Sequence, residues 1–408
     1  MSLFEIVGVL LALTAGLAYV NERHLHLPPP IGVTLGGLVT SLALLLVAGL
    51  APERLWLTGF LAHVDFEKVL LEGLLGILLF AGSLEVDLQD LVEVRGPVLV
   101  LSIAGTVLST LIVGTAAWGL LRLTGLPIPY LWALLFGALI SPTDPIAVMG
   151  ILKDAGAPRE LATLITGESL FNDGVAVVLF TIVLGLVTGV HAPSVVEAGR
   201  LFLEEAVGGV AYGLVLGWAA FWLLRRVDEP MTEILITVAV TTAGYALANR
   251  LGTSGPLAMV VAGLLVGNQG RMFAMSEGTR ERLDNFWIVL DQILNALLFV
   301  LIGLEVLVLP VGGSRLWVAF AAVPLVLGAR LVSVWLPVRL MAFRRSFASY
   351  TVRILTWGGL RGGIAIALAL SVPAGRERPI LVLMTYVVVV FSILVQGLTV
   401  KGLAARAT

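Results

Sequence analysis

Cysteine is absent from the 408-residue chain, and histidine occurs only at His24, His26, His63 and His191, all in expected loops. Disulfides, thiolate metal sites, iron–sulfur clusters and bis-histidine haem ligation are therefore excluded, and redox chemistry with them. Charge is scarce too. Asp, Glu, Lys and Arg make up 13 % of the residues, against about 25 % in a soluble domain. With 25 Lys+Arg and 27 Asp+Glu the net charge is −2, so there is no basic excess to attract nucleic acid and no acidic tail. What is abundant is apolar surface: 59 % of residues are hydrophobic and the mean hydropathy is +1.03. This composition predicts an all-α, polytopic membrane protein.

A helix needs about 20 mostly apolar residues to cross the hydrocarbon core. Residues 24–52, 96–121, 174–196, 206–224 and 379–400 contain no Asp, Glu, Lys or Arg. Cutting the rest at Pro, Gly and charge clusters gives thirteen spans, at about 3–20, 30–49, 67–84, 97–121, 129–151, 160–189, 199–224, 231–249, 255–268, 284–309, 315–340, 349–372 and 379–402. The apolar runs lack the alternation of a membrane barrel. The first lacks the basic flank of a signal peptide, so it reads as a retained helix. No loop between spans is long enough for a soluble domain, so residues 1–408 read as one transmembrane domain whose function lies within the membrane. An N-terminus outside and a C-terminus in the cytoplasm put most loop Lys and Arg on the cytoplasmic side, among them Arg95, Lys153, Arg159, Arg225, Arg226 and Lys401. The expected location is the cell membrane.

Two segments repeat. Leu78-Leu79-Phe80 followed by Leu84-Glu85-Val86 in span three matches Leu297-Leu298-Phe299 followed by Leu304-Glu305-Val306 in span ten. Two spans with helix-breaking residues lie the same seven spans apart: span five carries Ser141-Pro142-Thr143-Asp144-Pro145, and span twelve carries Gly358-Gly359-Leu360-Arg361-Gly362-Gly363. An odd offset reverses direction across the bilayer. The pattern predicts two inverted six-helix repeats, about 3–189 and 231–402, joined by a linker helix at about 199–224, with discontinuous helices crossing at mid-membrane. Pro142 and Pro145 lack an amide hydrogen and disfavour helix before them, so span five should unwind near Thr143-Asp144. The half-helix ends left there are natural ion partners.

Most acids sit at span ends. Asp144, at the break, and Glu168 and Asp173, in Gly167-Glu168-Ser169-Leu170-Phe171-Asn172-Asp173-Gly174, do not. Glu168 with Asn172, and Ser169 with Asp173, are four apart and share one broad helix face. An ionised carboxylate at that depth costs at least about 2.5 kcal/mol, so it is protonated, paired or ligating a cation. Hard oxygen ligands suit a small alkali cation. Structural readings stand beside the functional ones. Asp144-Pro145 has the form of a helix cap, Asn172 of an interhelical contact, and Glu168 of a partner for a buried arginine. Arg330 and Arg361, the cations at membrane depth, neutralise acids or tune the site. Asp291, Glu305 and Glu72 read as interfacial or structural.

Thr143-Asp144-Pro145, Gly167-Glu168-Ser169, Asn172-Asp173-Gly174 and Gly359-Leu360-Arg361-Gly362-Gly363, in this order, resemble the monovalent cation:proton antiporters, specifically the prokaryotic NhaP-type sodium/proton branch related to eukaryotic sodium/proton exchangers. The similarity runs along nearly the whole chain. It implies a thirteen-helix inverted-repeat fold, a core domain moving against a dimerisation domain, and a homodimer. It also implies that sodium (or lithium) is held by the carboxylates of Glu168 and Asp173, the Ser169 hydroxyl and the Thr143 backbone oxygen, with Asp144 nearby. Arg361 and Arg330 match arginines close to the site. Asn172 stands where electrogenic relatives carry a second aspartate, which implies electroneutral one-for-one exchange serving pH homeostasis. The implied partners are monovalent cations, protons and membrane lipids, with no cofactor and no enzymatic reaction. Three alternatives stay open: a potassium/proton antiporter on the same scaffold, an intramembrane aspartyl protease using Asp144 and Asp173, for which the usual Gly-x-Gly-Asp motif is missing, and a passive channel, which would show flux without proton coupling.

Overall fold

A computed structural model describes residues 3–50, 74–145, 148–149, 158–190, 194–304, 314–343 and 345–404. Helices run over Leu3–Val20 (α1), Pro29–Leu50 (α2), Leu75–Leu84 (α3), Leu88–Glu93 (α4), Arg95–Leu123 (α5), Tyr130–Ile140 (α6), Arg159–Thr188 (α7), Val195–Leu224 (α8) and Pro230–Arg250 (α9). They continue with Gly255–Leu265 (α10), Glu277–Leu304 (α11), Ser314–Met341 (α12), Thr351–Gly358 (α13), Gly363–Leu370 (α14) and Arg378–Leu403 (α15). Among the described residues the only β-type pairing is an isolated bridge.

Each of the thirteen expected ranges contains helix, but the helices differ in length. Seven described helices are long and apolar enough to cross a membrane, and the bent pair α1 and α2 adds one. Helices α3 and α6 are shorter. For α3 the reason is that residues 51–73 lie outside the described residues, along with Glu72 and His63; His191, Lys153 and the Glu305-Val306 half of the repeat fall outside as well. For α6 the reason is chemical, because Pro142 and Pro145 end it. Span ten, expected from residue 284, begins at Glu277 instead. Its charged first turns lie outside the apolar stretch and are tied down by ion pairs, such as that of Arg271 with Asp284.

The turn between α1 and α2 is fixed by a side chain. After Leu25 the chain bends by 112°. His26 takes a left-handed φ of 51°, and Asn21 clamps the corner by donating to the Leu27 carbonyl (2.9 Å) and accepting its amide (3.3 Å). His24 lies in the last, widened helical turn, not in a free loop. At the start of α9, Glu229 accepts the amides of Met231 and Thr232, with Pro230 at the first helical position. Hydrogen bonding to Thr232 and Met231 holds its carboxyl below the usual value of 4.5. Asp228 is likewise held low by the hydroxyls of Ser276 and Thr279, at 2.7 and 2.8 Å, which ties this end of α9 to the start of α11.

Helix α7 runs through the interior, with 61 % of its most apolar stretch buried, whereas α8 buries only 28 %. The outward face of α8 carries Leu203, Val207, Val215 and Trp218, each more than half exposed. In water such a surface would drive aggregation; in a bilayer it is solvated by lipid. Close backbone approach holds α2 on α11. A Cβ on Gly303 would lie 2.7 Å from the Thr34 carbonyl, and the Ser41 hydroxyl donates to the Gly303 carbonyl at 2.9 Å.

Candidate functional site

The site forms where two broken helices meet. Helix α6 stops at Ile140 and leaves residues 141–145 non-helical, and helix is present again at residues 148–149, where the Pro145 carbonyl accepts the amides of Val148 and Met149 (3.0 and 2.8 Å). The second break separates α13 from α14 at residues 359–362. The two extended stretches pair antiparallel, and the Asp144 amide donates to the Leu360 carbonyl at 2.8 Å. Backbone groups freed by unwinding thus partly satisfy each other. The glycine at position 362 makes the contact possible: a Cβ there would fall 2.7 Å from the Asp144 Cβ and 2.9 Å from its Cγ.

Helix α7 crosses beside the break, and Glu168, Ser169, Asn172 and Asp173 are all buried. Three of them are committed to protein partners. The Asn172 amide accepts the Thr143 backbone N–H (3.2 Å) and donates to the Thr143 hydroxyl (2.7 Å) and Glu168 Oε1 (2.9 Å). Ser169 Oγ lies 3.0 Å from Thr143 Oγ1. Arg330, from α12, grips Glu168 with both Nη atoms at 2.8 Å and also donates to the Leu355 carbonyl at 3.2 and 3.0 Å. This alters the expectation for Glu168. Both its oxygens are engaged by a buried, two-pronged ion pair, so the carboxylate braces α7 against α12 and α13.

Asp173 differs. Among the described residues no hydrogen bond or ion pair engages it, and it lines a cavity of about 940 Å³ together with Pro142, Thr143, Asp144 and Asp291. The cavity runs from this buried carboxyl to Asp87, Asp90 and Arg159. Arg159 and Asp87 are exposed and paired with each other, so that end is the mouth. Water and ions therefore have a route to Asp173 from one side.

Arg361, 2 % exposed, turns back to the end of α6 and donates Nη1 to the carbonyls of Ser141 (2.5 Å) and Pro142 (2.9 Å). A guanidinium there offsets the negative end of the half-helix. Its Nη2 has no hydrogen-bond partner among the described residues. The charge of the crossing can now be counted. Glu168 and Arg330 cancel, and Arg361 offsets one of Asp144 and Asp173, which leaves a single negative charge at the inner end of the cavity when both are ionised. Among the described residues no three His, Cys, Asp or Glu side chains converge as they would on a resident metal ion.

All eight residues singled out from the sequence lie at this crossing: Thr143, Asp144, Glu168, Ser169, Asn172, Asp173, Arg330 and Arg361. Asp291, read as interfacial or structural, also lines the cavity, with Gln292 beside it and Asn295 one turn beyond.

The profile described as "Sodium/hydrogen exchanger, transmembrane" matches residues 9–406. This chain belongs to the sodium/hydrogen exchanger family. Within the family it is 47 % identical, over 413 residues, to the Na⁺/H⁺ antiporter NhaP of Pseudomonas aeruginosa, with 99 % of this chain and 97 % of that one covered. It is 36 % identical to the Na⁺/H⁺ antiporter NhaH of Halobacillus dabanensis, covering 84 % and 83 %. Its fold matches that of the sodium proton antiporter MjNhaP1 from Methanocaldococcus jannaschii at pH 8 with a TM-score of 0.77 and 20 % identity, over 100 % of this chain and 99 % of that one.

Proposed function

We propose that this chain exchanges Na⁺ for H⁺ across a membrane, one for one, by alternating access, with Asp173 as the group that carries either cargo. The observation behind this reading is that Asp173 alone among the buried acids of the crossing is uncommitted, at the closed end of an open cavity, where one negative charge is left over. Either one proton or one Na⁺ neutralises that charge. Both loaded forms then carry the same charge, which makes the exchange electroneutral, and the empty form, with a bare charge to move, is held back. The Ser169 hydroxyl and Thr143 backbone oxygen supply neutral ligands, Asp144 acts beside them, and Asn172 fixes the Thr143 loop. The relatives' names favour Na⁺ over K⁺. The same reading takes the mouth at Asp87 and Arg159 as cytoplasmic, the N-terminus as outside, α8 as the linker between inverted repeats, and the working unit as a homodimer in the cell membrane.

The test is proton flux in proteoliposomes containing the purified protein, with Li⁺, Na⁺ or K⁺ added in turn and the membrane potential clamped or free. Flux is expected with Na⁺ and Li⁺ and is expected not to respond to the clamp. Because the two cargoes compete for one carboxylate, half-saturating Na⁺ should rise by up to about tenfold per unit fall in pH on the acid side of the profile. Flux that follows K⁺ alone, or a half-saturation independent of pH, contradicts the proposal.

Gly362→Ala gives a separate check on the crossing. The added methyl group pushes against the Asp144 Cβ and Cγ, and a misplacement of this size is expected to slow exchange by at least on the order of tenfold, measured in the same liposomes. Unchanged exchange in that variant would mean that the Asp144 position is unimportant.

A further inference from the structure

The cavity lies between two walls. Helices α3 and α11 line one side of it, and the break after α6, α7 and α14 line the other. Between Leu84 and Leu88 the chain leaves α3, which packs on α10 and α11, and enters α4, which packs on α7. Glu85, Val86 and Asp87, in this corner, stand at the edge of the cavity. Asn268 grips the corner from the turn that follows α10. Its Oδ1 accepts the Leu88 amide (2.8 Å), and its Nδ2 donates to the carbonyls of Val86 (3.0 Å) and Leu264 (2.8 Å). A main-chain donor and a main-chain acceptor fix which way the amide faces, so this one side chain holds the backbone on both sides of Asp87. The turn that carries it, Val266–Gly270, is a π-helical distortion of the kind found at functional sites. Two glycines bring α10 close enough: a Cβ on Gly263 would lie 2.8 Å from the Phe80 carbonyl, and one on Gly267 would lie 2.5 Å from the Leu84 carbonyl. Beyond Leu88 the partners change. Arg159 of α7 pairs with Asp87 (3.3 Å) and Asp90, and Leu91 seats over Gly167 of α7, where a Cβ would lie 2.8 Å from its Cδ1. Up to Leu88 the chain is fastened to α10, and from Asp90 onward it is fastened to α7.

We infer that Asn268 is a positioning residue for exchange: it fastens the α3–α4 corner to α10 as the fixed point about which α4, α5 and α7 turn against α3, α10 and α11. The inference rests on the alternating-access reading and adds to it where the turn is anchored. With a loose corner, motion of the second wall spreads over many directions, and few of them carry Asp173 from one side of the membrane to the other. Loaded carriers then cross more slowly. Asp173 lies at the closed end of the cavity and the corner at its edge, so Asn268 acts on how fast the loaded carrier moves and not on how readily it loads. An asparagine that only stabilised the fold would behave differently. Its loss would reduce the amount of folded protein and leave each folded copy at full speed.

The experiment measures Na⁺-driven proton flux per folded, reconstituted protein for Asn268→Leu, Asn268→Gln and Gly267→Ala beside the unmodified chain. For Asn268→Leu the maximal rate is expected to fall on the order of tenfold, the weight of one or two lost hydrogen bonds. Half-saturating Na⁺ is expected to stay within about twofold of the original, as for a change felt after loading. Gly267→Ala, whose added methyl group pushes on the Leu84 carbonyl, should slow exchange in the same way. Asn268→Gln keeps a donor and an acceptor and should regain most of the rate. An unchanged maximal rate in Asn268→Leu, or a loss confined to half-saturating Na⁺, overturns the fixed point. A measurement on the unmodified protein covers the case of variants that do not fold: hydrogen–deuterium exchange at the Leu88 amide is expected to be equally slow in Na⁺-free and Na⁺-saturated liposomes at one pH, because an anchored corner keeps its bonds through the cycle. Protection that is lost when Na⁺ is added overturns the fixed point and leaves the antiport reading standing, whereas an unmodified protein that exchanges no cation for protons sinks the antiport reading itself.

Discussion

Asp173→Asn is expected to give a folded protein in which Na⁺-driven proton exchange falls at least about a hundredfold, below detection in most liposome assays. The substitution changes little in shape, and the amide faces a cavity wide enough for water, so the helices lose no contact. The charge balance is what changes. With Glu168 held by Arg330, and Arg361 offsetting Asp144, the crossing of Asp173→Asn is neutral when empty, and nothing remains there to attract a cation or to take up a proton at physiological pH. Thermal unfolding in detergent should stay within about 1 kcal/mol of the original protein, as for a substitution that neither opens a cavity nor orphans a buried charge. Exchange that persists in this variant would remove Asp173 from the centre of the mechanism.

The second large effect concerns stability. Arg330→Ala leaves the Glu168 carboxylate without its guanidinium in a site that water does not reach, and breaking a buried pair in this way costs about 3–5 kcal/mol. It also removes the donors to the Leu355 carbonyl, which sits just before the second helix break. A marked fall in the unfolding midpoint and in the yield of monodisperse protein is expected. The double variant Glu168→Gln with Arg330→Met should regain part of that loss, because two neutral side chains need no charge compensation. This pair of variants also separates the two roles for Glu168. If the carboxylate serves only to brace α7, the folded double variant keeps its half-saturating Na⁺. If Glu168 ligates the cargo, affinity falls even in the protein that folds.

Much of this architecture was legible in the residues. Pro142 and Pro145 forced a break, and the glycines from 358 to 363 permitted another. Polar groups at 168, 169, 172 and 173 had to share a face because helical geometry leaves them no other arrangement. The partition of their tasks was not legible. The sequence offered Glu168 as a partner for a buried arginine but did not say which one, and the approach of Arg330 from α12, 162 residues along the chain, supplies it. That Asp291 lines the cavity was not legible either, because the course of a cavity depends on how several helices stand apart. Helix lengths were the least legible. Composition marks where apolar stretches begin and end but does not say that Asn21 will clamp the chain into a 112° corner between α1 and α2.

The bond from the Asp144 amide to the Leu360 carbonyl joins main chain to main chain, so among side-chain exchanges at these positions only a proline at 144, which lacks the amide hydrogen, or a side chain crowding the crossing from 362 removes it. The alignment of the two half-helices is thereby insulated from genetic drift, while the hydroxyls, carboxyls and amides hung upon that fixed frame stay free to vary. A scaffold of this kind lets descendants change which ion they prefer, one substitution at a time, without having to rediscover how the polypeptide folds.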